Sequence, residues 1–328
     1  MCRLFEVDQN TYYSGAIGSD MSLTAERILV TGGGGFVGSH LVERLLGDGH
    51  DVRVVDNFSN GNEEWLPAEA EVIVGDLSDP ETAAEAITAD LDLVIHLAAD
   101  KDASRDDIAQ FQSNTTLTET VLDRMAEVGL DKIAFTSSST VYGEAPRPTP
   151  EDYAPLEPIS IYGAGKLAEE GLLSVYGHSH EFTVWTFRFA NVVGPRLRGA
   201  VVPDFIEKLR ADPDHLEILG NGRQEKSYLY IEDCIDAMLH VIEHTDDPVN
   251  TFNLGTRTTT SVDRIATIVA EEMGVDPERS YTGGDRGWTG DVPKMRLSIE
   301  KLSALGWEPT YASDEAIRTA TRELLTEL

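Results

Sequence analysis

The chain has 328 residues, enough for one large domain or two closely joined ones with a substantial core. Its 58 acidic residues outnumber the 26 basic ones and give a formal net charge of −32, which opposes binding to nucleic acid. There is no apolar run long enough to span a membrane and no secretory signal, and Cys2 and Cys234 fit neither a disulfide framework nor a metal site. We therefore expect a cytoplasmic protein with no metal and no membrane partner.

Two interpretations of the acidity remain open. The excess charge can keep a mesophilic protein soluble, or it can be a halophilic adaptation to a salt-rich cytoplasm, where ions screen the field beyond about a Debye length. We favour the second interpretation. In either case the charge describes the environment of the protein and not its chemistry.

Residues 1–20 lack helical or strand periodicity and precede a second methionine, Met21, and the N-terminal segment is taken to run over residues 1–24. They are interpreted either as a flexible N-terminal extension or as translation from an upstream start. Apolar runs then alternate with amphipathic stretches: strands are predicted at 27–30, 52–55, 71–74, 93–97, 132–136 and 183–189, and helices at 37–46, 114–128 and 162–176. This alternation predicts an α/β fold, a Rossmann-type doubly wound parallel sheet, over residues 25–190.

The pattern changes after Asn191, where Gly194-Pro195 interrupts the chain. Short helices are predicted at 203–210, 231–243, 262–273 and 313–325, separated by loops rich in Gly, Thr and Pro. Residues 191–328 are therefore predicted to form mainly a smaller mixed α/β C-terminal substrate lobe, with some strands returning to the sheet. Such a lobe would cover the carboxyl ends of the strands, where ligands bind in folds of this class.

A glycine-rich turn directly follows the first predicted strand and precedes a helix. Gly32, Gly35 and Gly38 have the spacing G-x-x-G-x-x-G, which lets the backbone approach a pyrophosphate at a helix N-terminus. Asp56 ends the second strand about twenty residues later, where a carboxylate binds an adenosine ribose and disfavours a 2′-phosphate. An ordinary glycine turn and a capping aspartate are the structural alternatives, but together the two features predict an NAD site.

A tyrosine and a lysine four residues apart begin the helix predicted at 162–176. Tyr162 and Lys166 share one face of that helix. An ammonium and an oxidised nicotinamide would both stabilise a phenolate, whose unperturbed pKa lies near 10. The pattern Y-x-x-x-K is common on ordinary helices. However, the segment Ser137-Ser138-Ser139 ends the fifth predicted strand, where a serine can hydrogen-bond a sugar hydroxyl and assist proton transfer to Tyr162.

These segments together resemble the extended short-chain dehydrogenase/reductase family, most closely its NAD-dependent nucleotide-sugar epimerases of the UDP-glucose 4-epimerase type. The similarity runs from about Arg27 to the C-terminus. It implies that Ser138, four residues before Tyr142 of the V-Y-G segment, is catalytic, that Tyr162 is the base and that Lys166 holds the cofactor. The cofactor-binding residues implied by the motifs are Gly32, Gly35, Phe36, Val37, Gly38, Asp56, Asn57, Asp76, Leu77, Leu97, Ala98, Ala99, Lys101, Asn114, Tyr162 and Lys166. The substrate-binding residues implied are Ser138, Asn191, Lys226, Arg286 and Asp291.

The resemblance implies an isomerase that oxidises C4 of a nucleotide sugar to a keto-sugar and reduces it again on the other face, with NAD as cofactor and a homodimeric assembly. The alternatives are a sugar or sterol dehydrogenase that releases NADH, a non-catalytic NAD-sensing or RNA-associated relative, and, less favoured, a nucleotide-sugar dehydratase or decarboxylase. Dehydratases and decarboxylases of the family carry acidic residues before V-Y-G, where this chain has Ser139 and Thr140. Two departures leave the sugar and the nucleotide open: Lys226 occupies a usual arginine position, and Trp288 fills another, with Arg286 two residues earlier.

Overall fold

A computed structural model describes residues 23–101 and 107–328. All but the last two residues of the predicted extension, 1–24, lie outside the described residues. No helix in the described part of the chain is long and apolar enough to cross a membrane.

Strands and helices alternate through the first half of the chain, as predicted. The strands are β1 Arg27–Thr31, β2 Asp51–Asp56, β3 Glu71–Val74, β4 Leu93–His96, β5 Lys132–Ser138, β6 Thr183–Phe189, β7 Asn191–Val193, β8 His215–Ile218, β9 Glu225–Lys226, β10 Tyr228–Tyr230, β11 Val249–Leu254, β12 Thr260–Ser261, β13 Glu278–Tyr281 and β14 Lys294–Met295. The helices are α1 Phe36–Gly47, α2 Pro80–Ala86, α3 Ile108–Val128, α4 Ile161–Ser179, α5 Val201–Ala211, α6 Ile231–His244, α7 Val262–Met273, α8 Glu300–Ala304 and α9 Ser313–Glu327. Short 3-10 helices lie at Glu63–Trp65 and Ser139–Tyr142.

Seven of these strands form one parallel sheet in the order β11-β6-β5-β4-β1-β2-β3. The chain leaves β1 toward β2 and β3 on one side and returns to β4, β5 and β6 on the other. The strand order therefore reverses between β1 and β4, and a crevice opens there at the carboxyl ends of the strands. The predicted Rossmann-type sheet is confirmed.

The sheet is buried on both faces, which explains why its strands are almost continuously apolar. Ile28 and Val30 contribute to one core cluster, which also contains residues of α1 and α6. Leu29, between them, contributes to the other, which also contains residues of α2, α3 and α4. All three side chains are fully buried, as the alternation of side chains along a strand requires.

Residues after 191 add the short sheets β7-β10, β9-β12-β14 and β8-β13, while β11 extends the main sheet next to β6. The division of the chain at 190/191 into two lobes remains a prediction. Several elements were not predicted, and two of the differences carry capping signals in the sequence. Helix α3 begins six residues earlier than predicted, where Asp107 caps it by accepting a hydrogen bond from the Ala109 N–H. Helix α2 was not predicted, although Asp79 caps it and Pro80 occupies its first turn.

Candidate active site

The glycine turn between β1 and α1 is closely packed against neighbouring backbone. A Cβ on Gly32 would lie 2.8 Å from the Ala98 nitrogen, and a Cβ on Gly38 would overlap the Gly32 carbonyl oxygen. Gly32 also has a φ of +68°, which L side chains rarely adopt. Gly35 is the N-cap of α1 and has no side chain that could cap the helix, so N–H groups of the first turn remain available to an anion. Phe36 and Val37 form the beginning of that turn.

Three of the predicted adenosine contacts lie close together beside this turn. Asp56 accepts hydrogen bonds from the Gly34 N–H at 2.8 Å and from the Phe58 N–H at 2.7 Å. Burial raises its pKa despite these bonds. The Asn57 side-chain amide donates to Asp76 at 3.3 Å, which joins the ends of β2 and β3, and Leu77 is buried directly beyond.

The loop after β4 supplies the next group of predicted contacts, Leu97, Ala98, Ala99 and Lys101, the last described residue before the gap. Asn114 of α3 is almost fully buried and fixes this loop through two hydrogen bonds to the Asp100 backbone. Its side-chain oxygen accepts from the Asp100 N–H at 2.8 Å, and its amide donates to the Asp100 carbonyl at 3.0 Å. The described geometry makes Asn114 a support for this loop.

The N-terminus of α4 packs against the turn that follows Ser138. A Cβ on Gly163 would lie 2.9 Å from the Thr140 carbonyl oxygen, so only a glycine allows this approach. The Ser138 hydroxyl caps the turn by accepting from the Thr140 N–H at 3.2 Å. The structure therefore brings the residues next to Tyr162 and Ser138 together at the carboxyl end of β5.

Tyr162 differs electrostatically from the expectation. Burial raises its pKa above the ordinary phenol value, and the carboxylates of Glu169 and Asp100 raise it further. The expected lowering by Lys166 is not found in the protein alone, because the Lys166 ammonium lies 3.3 Å from the Glu169 carboxylate in a buried ion pair. Glu169, three residues after the lysine, was not identified from the sequence, although i, i+3 spacing placed it on the same helical face.

A second buried ion pair supports the strand end that carries Ser138. The Arg188 guanidinium contacts the Glu170 carboxylate at 2.7 Å and also donates to the Tyr142 hydroxyl at 2.7 Å. That hydroxyl donates to the Asn253 side-chain oxygen at 2.8 Å, and Ser137 donates to Glu170. The network ties the V-Y-G turn to β6, β11 and α4.

The predicted substrate residues of the C-terminal lobe form one cluster. Lys226 pairs with Asp291 at 2.5 Å and lies 4.9 Å from the centroid of the Trp288 ring. Arg286 donates to the Asp291 carbonyl and pairs with Glu144, an acid that the sequence did not single out. Both cations are therefore already paired with carboxylates.

Asn191 begins β7 and pairs with Tyr228 of β10, and its N–H donates to the carbonyl of Ser227, the residue after Lys226, at 3.2 Å. A cavity of about 410 Å³ separates the segment after Ser138 from the loop of Arg286 and is lined by Tyr142, Glu144 and Arg286 among others.

His96 is a packed strand-end residue: it is 1% exposed, and burial together with the Lys166 charge lowers its pKa to about 3. Over residues 23–101 and 107–328, no group of three or more His, Cys, Asp or Glu side chains could hold a metal ion.

Three features together define the short-chain dehydrogenase/reductase class. They are the parallel sheet, the glycine turn at its switch point, and the combination of Ser138 at the end of β5 with Tyr162 and Lys166 on α4. A family model, the NAD dependent epimerase/dehydratase family, matches residues 28–255. The chain belongs to this family.

Proteins that are similar over about nine-tenths of this chain agree with this assignment. The UDP-glucose 4-epimerase of Mycolicibacterium smegmatis is 33% identical over 308 residues, which covers 89% of this chain and 96% of the relative. A crystal structure of a UDP-galactose 4-epimerase is 42% identical with a TM-score of 0.84, covering 92% of this chain and 99% of the other. The UDP-glucose 4-epimerase of Thermus thermophilus, solved in complex with NAD, is 31% identical with a TM-score of 0.83, covering 92% and 100%.

Proposed function

We propose that this protein is an NAD-dependent isomerase that interconverts nucleotide sugars epimeric at C4, with UDP-glucose and UDP-galactose as the substrate pair. The observation that carries the proposal is the packing of the turn after Ser138 against the N-terminus of α4, on the sheet whose glycine turn packs against the loop after β4. The tight glycine turn, the N–H groups of α1 and the Asp56 carboxylate suit a dinucleotide with a free adenosine ribose.

NAD, when bound, would supply a hydride acceptor at the nicotinamide, whose positive charge would favour a phenolate nearby. Tyr162 would accept the proton of the sugar C4 hydroxyl and return it to the C4 oxygen as the epimer forms. Ser138 hydrogen-bonds the same hydroxyl and orients it toward Tyr162. Lys166 supplies positive charge beside the phenol and positions the cofactor ribose.

The Tyr162→Phe variant tests this assignment. It removes the proton acceptor and keeps the ring, so we expect turnover of UDP-galactose to fall at least about a thousandfold while the affinity for NAD changes little. Isothermal titration measures the affinity, and product chromatography measures the turnover. Retained turnover in the variant would remove Tyr162 from the mechanism.

The net formation of NADH distinguishes an epimerase from a dehydrogenase of the same family. An epimerase interconverts the two sugars without net NADH, because each hydride removed is returned. Steady accumulation of NADH during incubation with a nucleotide sugar would establish the dehydrogenase instead.

We also propose that the protein acts as a homodimer in a reducing, salt-rich cytoplasm. The homodimer follows from the family resemblance, and the salt-rich compartment follows from the net charge of −32. Light scattering is expected to give twice the chain mass of 35.9 kDa. The thermal unfolding midpoint is expected to rise as KCl screens the acidic surface. A monomeric mass, or a midpoint independent of salt, contradicts the corresponding proposal.

A further inference from the structure

Lys166 and Glu169 form an ion pair that is almost completely excluded from solvent. Their side chains are 2% and 1% exposed, and the ammonium lies 4.5 Å from the centroid of the Phe135 ring. A buried ammonium without a partner would be costly, so Glu169 is what allows a charged lysine in this layer between α4 and the sheet.

Glu169 is in turn anchored by a chain of buried side chains. The Thr118 hydroxyl of α3 is 2.6 Å from Glu169 Oε1, and His96 Nε2 is 3.2 Å from the same hydroxyl. The other ring nitrogen of His96 is 2.7 Å from the Thr31 hydroxyl. That hydroxyl also accepts hydrogen bonds from the Leu97 and Ala98 N–H groups at 3.2 and 3.1 Å. The chain therefore connects Lys166 to the first residue before the glycine turn and to the loop after β4.

The Glu169 carboxylate at one end of this series of hydrogen bonds determines which group donates in each of them. A carboxylate only accepts, so Thr118 must donate to Glu169 and can accept only from His96 Nε2–H. His96 is neutral, so its Nδ1 is an acceptor and Thr31 must donate to it. The backbone N–H groups of the loop complete the series. Glu169 thus fixes the tautomer of His96 as well as the position of Lys166.

Two carboxylates in the described part of the chain raise the pKa of Tyr162: Glu169 belongs to its own helix, and Asp100 belongs to the loop after β4. Lys166 lies on the same helix as Tyr162 and Glu169. Among these groups, Glu169 opposes Lys166 directly.

We propose that Glu169 is a positioning residue for the reaction: it holds the Lys166 ammonium in place and offsets part of the positive charge that Tyr162 faces. This inference rests on the roles proposed above for Tyr162 and Lys166. Its consequence is that removing the Glu169 charge lowers the pKa of the Tyr162 phenol, whereas removing the Lys166 charge raises it.

The test follows the phenol itself, with difluorotyrosine in place of Tyr162 and fluorine NMR as the readout in protein without added dinucleotide. Fluorination brings the titration into an accessible pH range and isolates one phenol among the ten tyrosines. In Glu169→Gln we expect the midpoint to fall by about one pH unit, the scale on which a nearby like charge acts. In Lys166→Met we expect a rise of similar size, and in the double variant a midpoint within about 0.3 of the parent protein, because the two charges offset each other.

The matched control is Glu170→Gln, which removes the adjacent carboxylate from the Arg188 ion pair and is expected to leave the midpoint unchanged. Glu169→Asp keeps the charge and is expected to restore the parent midpoint. An unchanged or raised midpoint in folded Glu169→Gln overturns the proposal, and so does an equal shift in Glu170→Gln. If Glu169→Gln fails to fold, Lys166→Met and the double variant decide: a double variant that titrates like Lys166→Met overturns it.

The pH dependence of kcat/KM gives a second readout. The acidic limb is expected to move to lower pH in Glu169→Gln by the same amount as the fluorine titration. Because that titration needs neither cofactor nor turnover, it judges Glu169 even if Tyr162→Phe proves active and the proposed function fails.

Discussion

Replacing Glu170 by glutamine tests how the buried Arg188 ion pair holds the strand end that carries Ser138. The two side chains are 10% and 7% exposed. Burial opposes the charge on Arg188, but hydrogen bonds and the charge of Glu170 outweigh it and raise the pKa of the guanidinium. The Glu170→Gln variant removes the carboxylate that pairs directly with this buried charge.

Removing one partner of a buried pair costs about 3–5 kcal/mol. We expect the lower end, about 3 kcal/mol, because the glutamine oxygen still accepts one hydrogen bond and Arg188 keeps the Tyr142 hydroxyl and the Glu151 carbonyl as acceptors. For a chain of this size that corresponds to a fall of roughly 5 °C in the thermal unfolding midpoint.

Circular dichroism measures the midpoint at a fixed salt concentration. Glu127→Gln is the control: it breaks the exposed pair with Arg124, which contributes under about 1 kcal/mol. If Glu170→Gln unfolds within about 1 °C of the Glu127 variant, the network does not support the turn and the reasoning is wrong.

Three further predictions concern the cofactor, the substrate and acid stability. Asp56→Ser removes the ribose acceptor and the acceptor of the Gly34 N–H, so NAD affinity measured by calorimetry should fall about tenfold and preference over NADP should shrink; an unchanged preference contradicts the assignment. Lys226→Met should raise KM for UDP-glucose about tenfold with little change in kcat, since the phosphate contact is present in ground and transition states alike; a fall in kcat alone refutes it. Hydrogen bonds from Arg322 and Arg318 lower the pKa of Glu272. The ionised Glu272 therefore stabilises the fold above its unfolded-state pKa near 4.3, and this stabilisation is lost as the pH falls through its folded-state pKa. Glu272→Gln should flatten the dependence of the thermal unfolding midpoint on pH in the acidic range, and an unaltered dependence argues against this role.

The features found from the sequence are those formed by residues that are close together in the sequence. The glycine turn, Asp56 at a strand end and the Tyr162–Lys166 spacing each lie within one or two elements, so periodicity and local motifs were sufficient. The start of α3 and the whole of α2 were missed although Asp107, Asp79 and Pro80 gave capping signals. Attention to caps as well as periodicity would have recovered both.

The charge pairs could not be predicted in the same way. Arg286 and Glu144 are 142 residues apart, and Lys226 and Asp291 are 65 apart, so only the packing of the C-terminal lobe on the turn after Ser138 brings them together. That Lys226 and Arg286 bind the substrate stays a prediction from the family resemblance. The sequence contained no information on which carboxylates would hold them.

These pairs extend the acidity of the chain into the proposed substrate site. A nucleotide diphosphate that approaches Lys226 and Arg286 must compete with Asp291 and Glu144 for the same ammonium and guanidinium groups. The Glu144 side chain is 50% exposed, so ions can screen its charge, whereas Asp291 is 2% exposed and is screened far less. Added KCl should therefore lower KM for the nucleotide sugar by weakening the repulsion from Glu144 and from the surface, with kcat nearly constant. Glu144→Gln should lower KM at low salt and reduce its dependence on KCl; a KM that rises with salt in the parent protein would mean that the cations dominate and that the acidic surface plays no part in substrate binding.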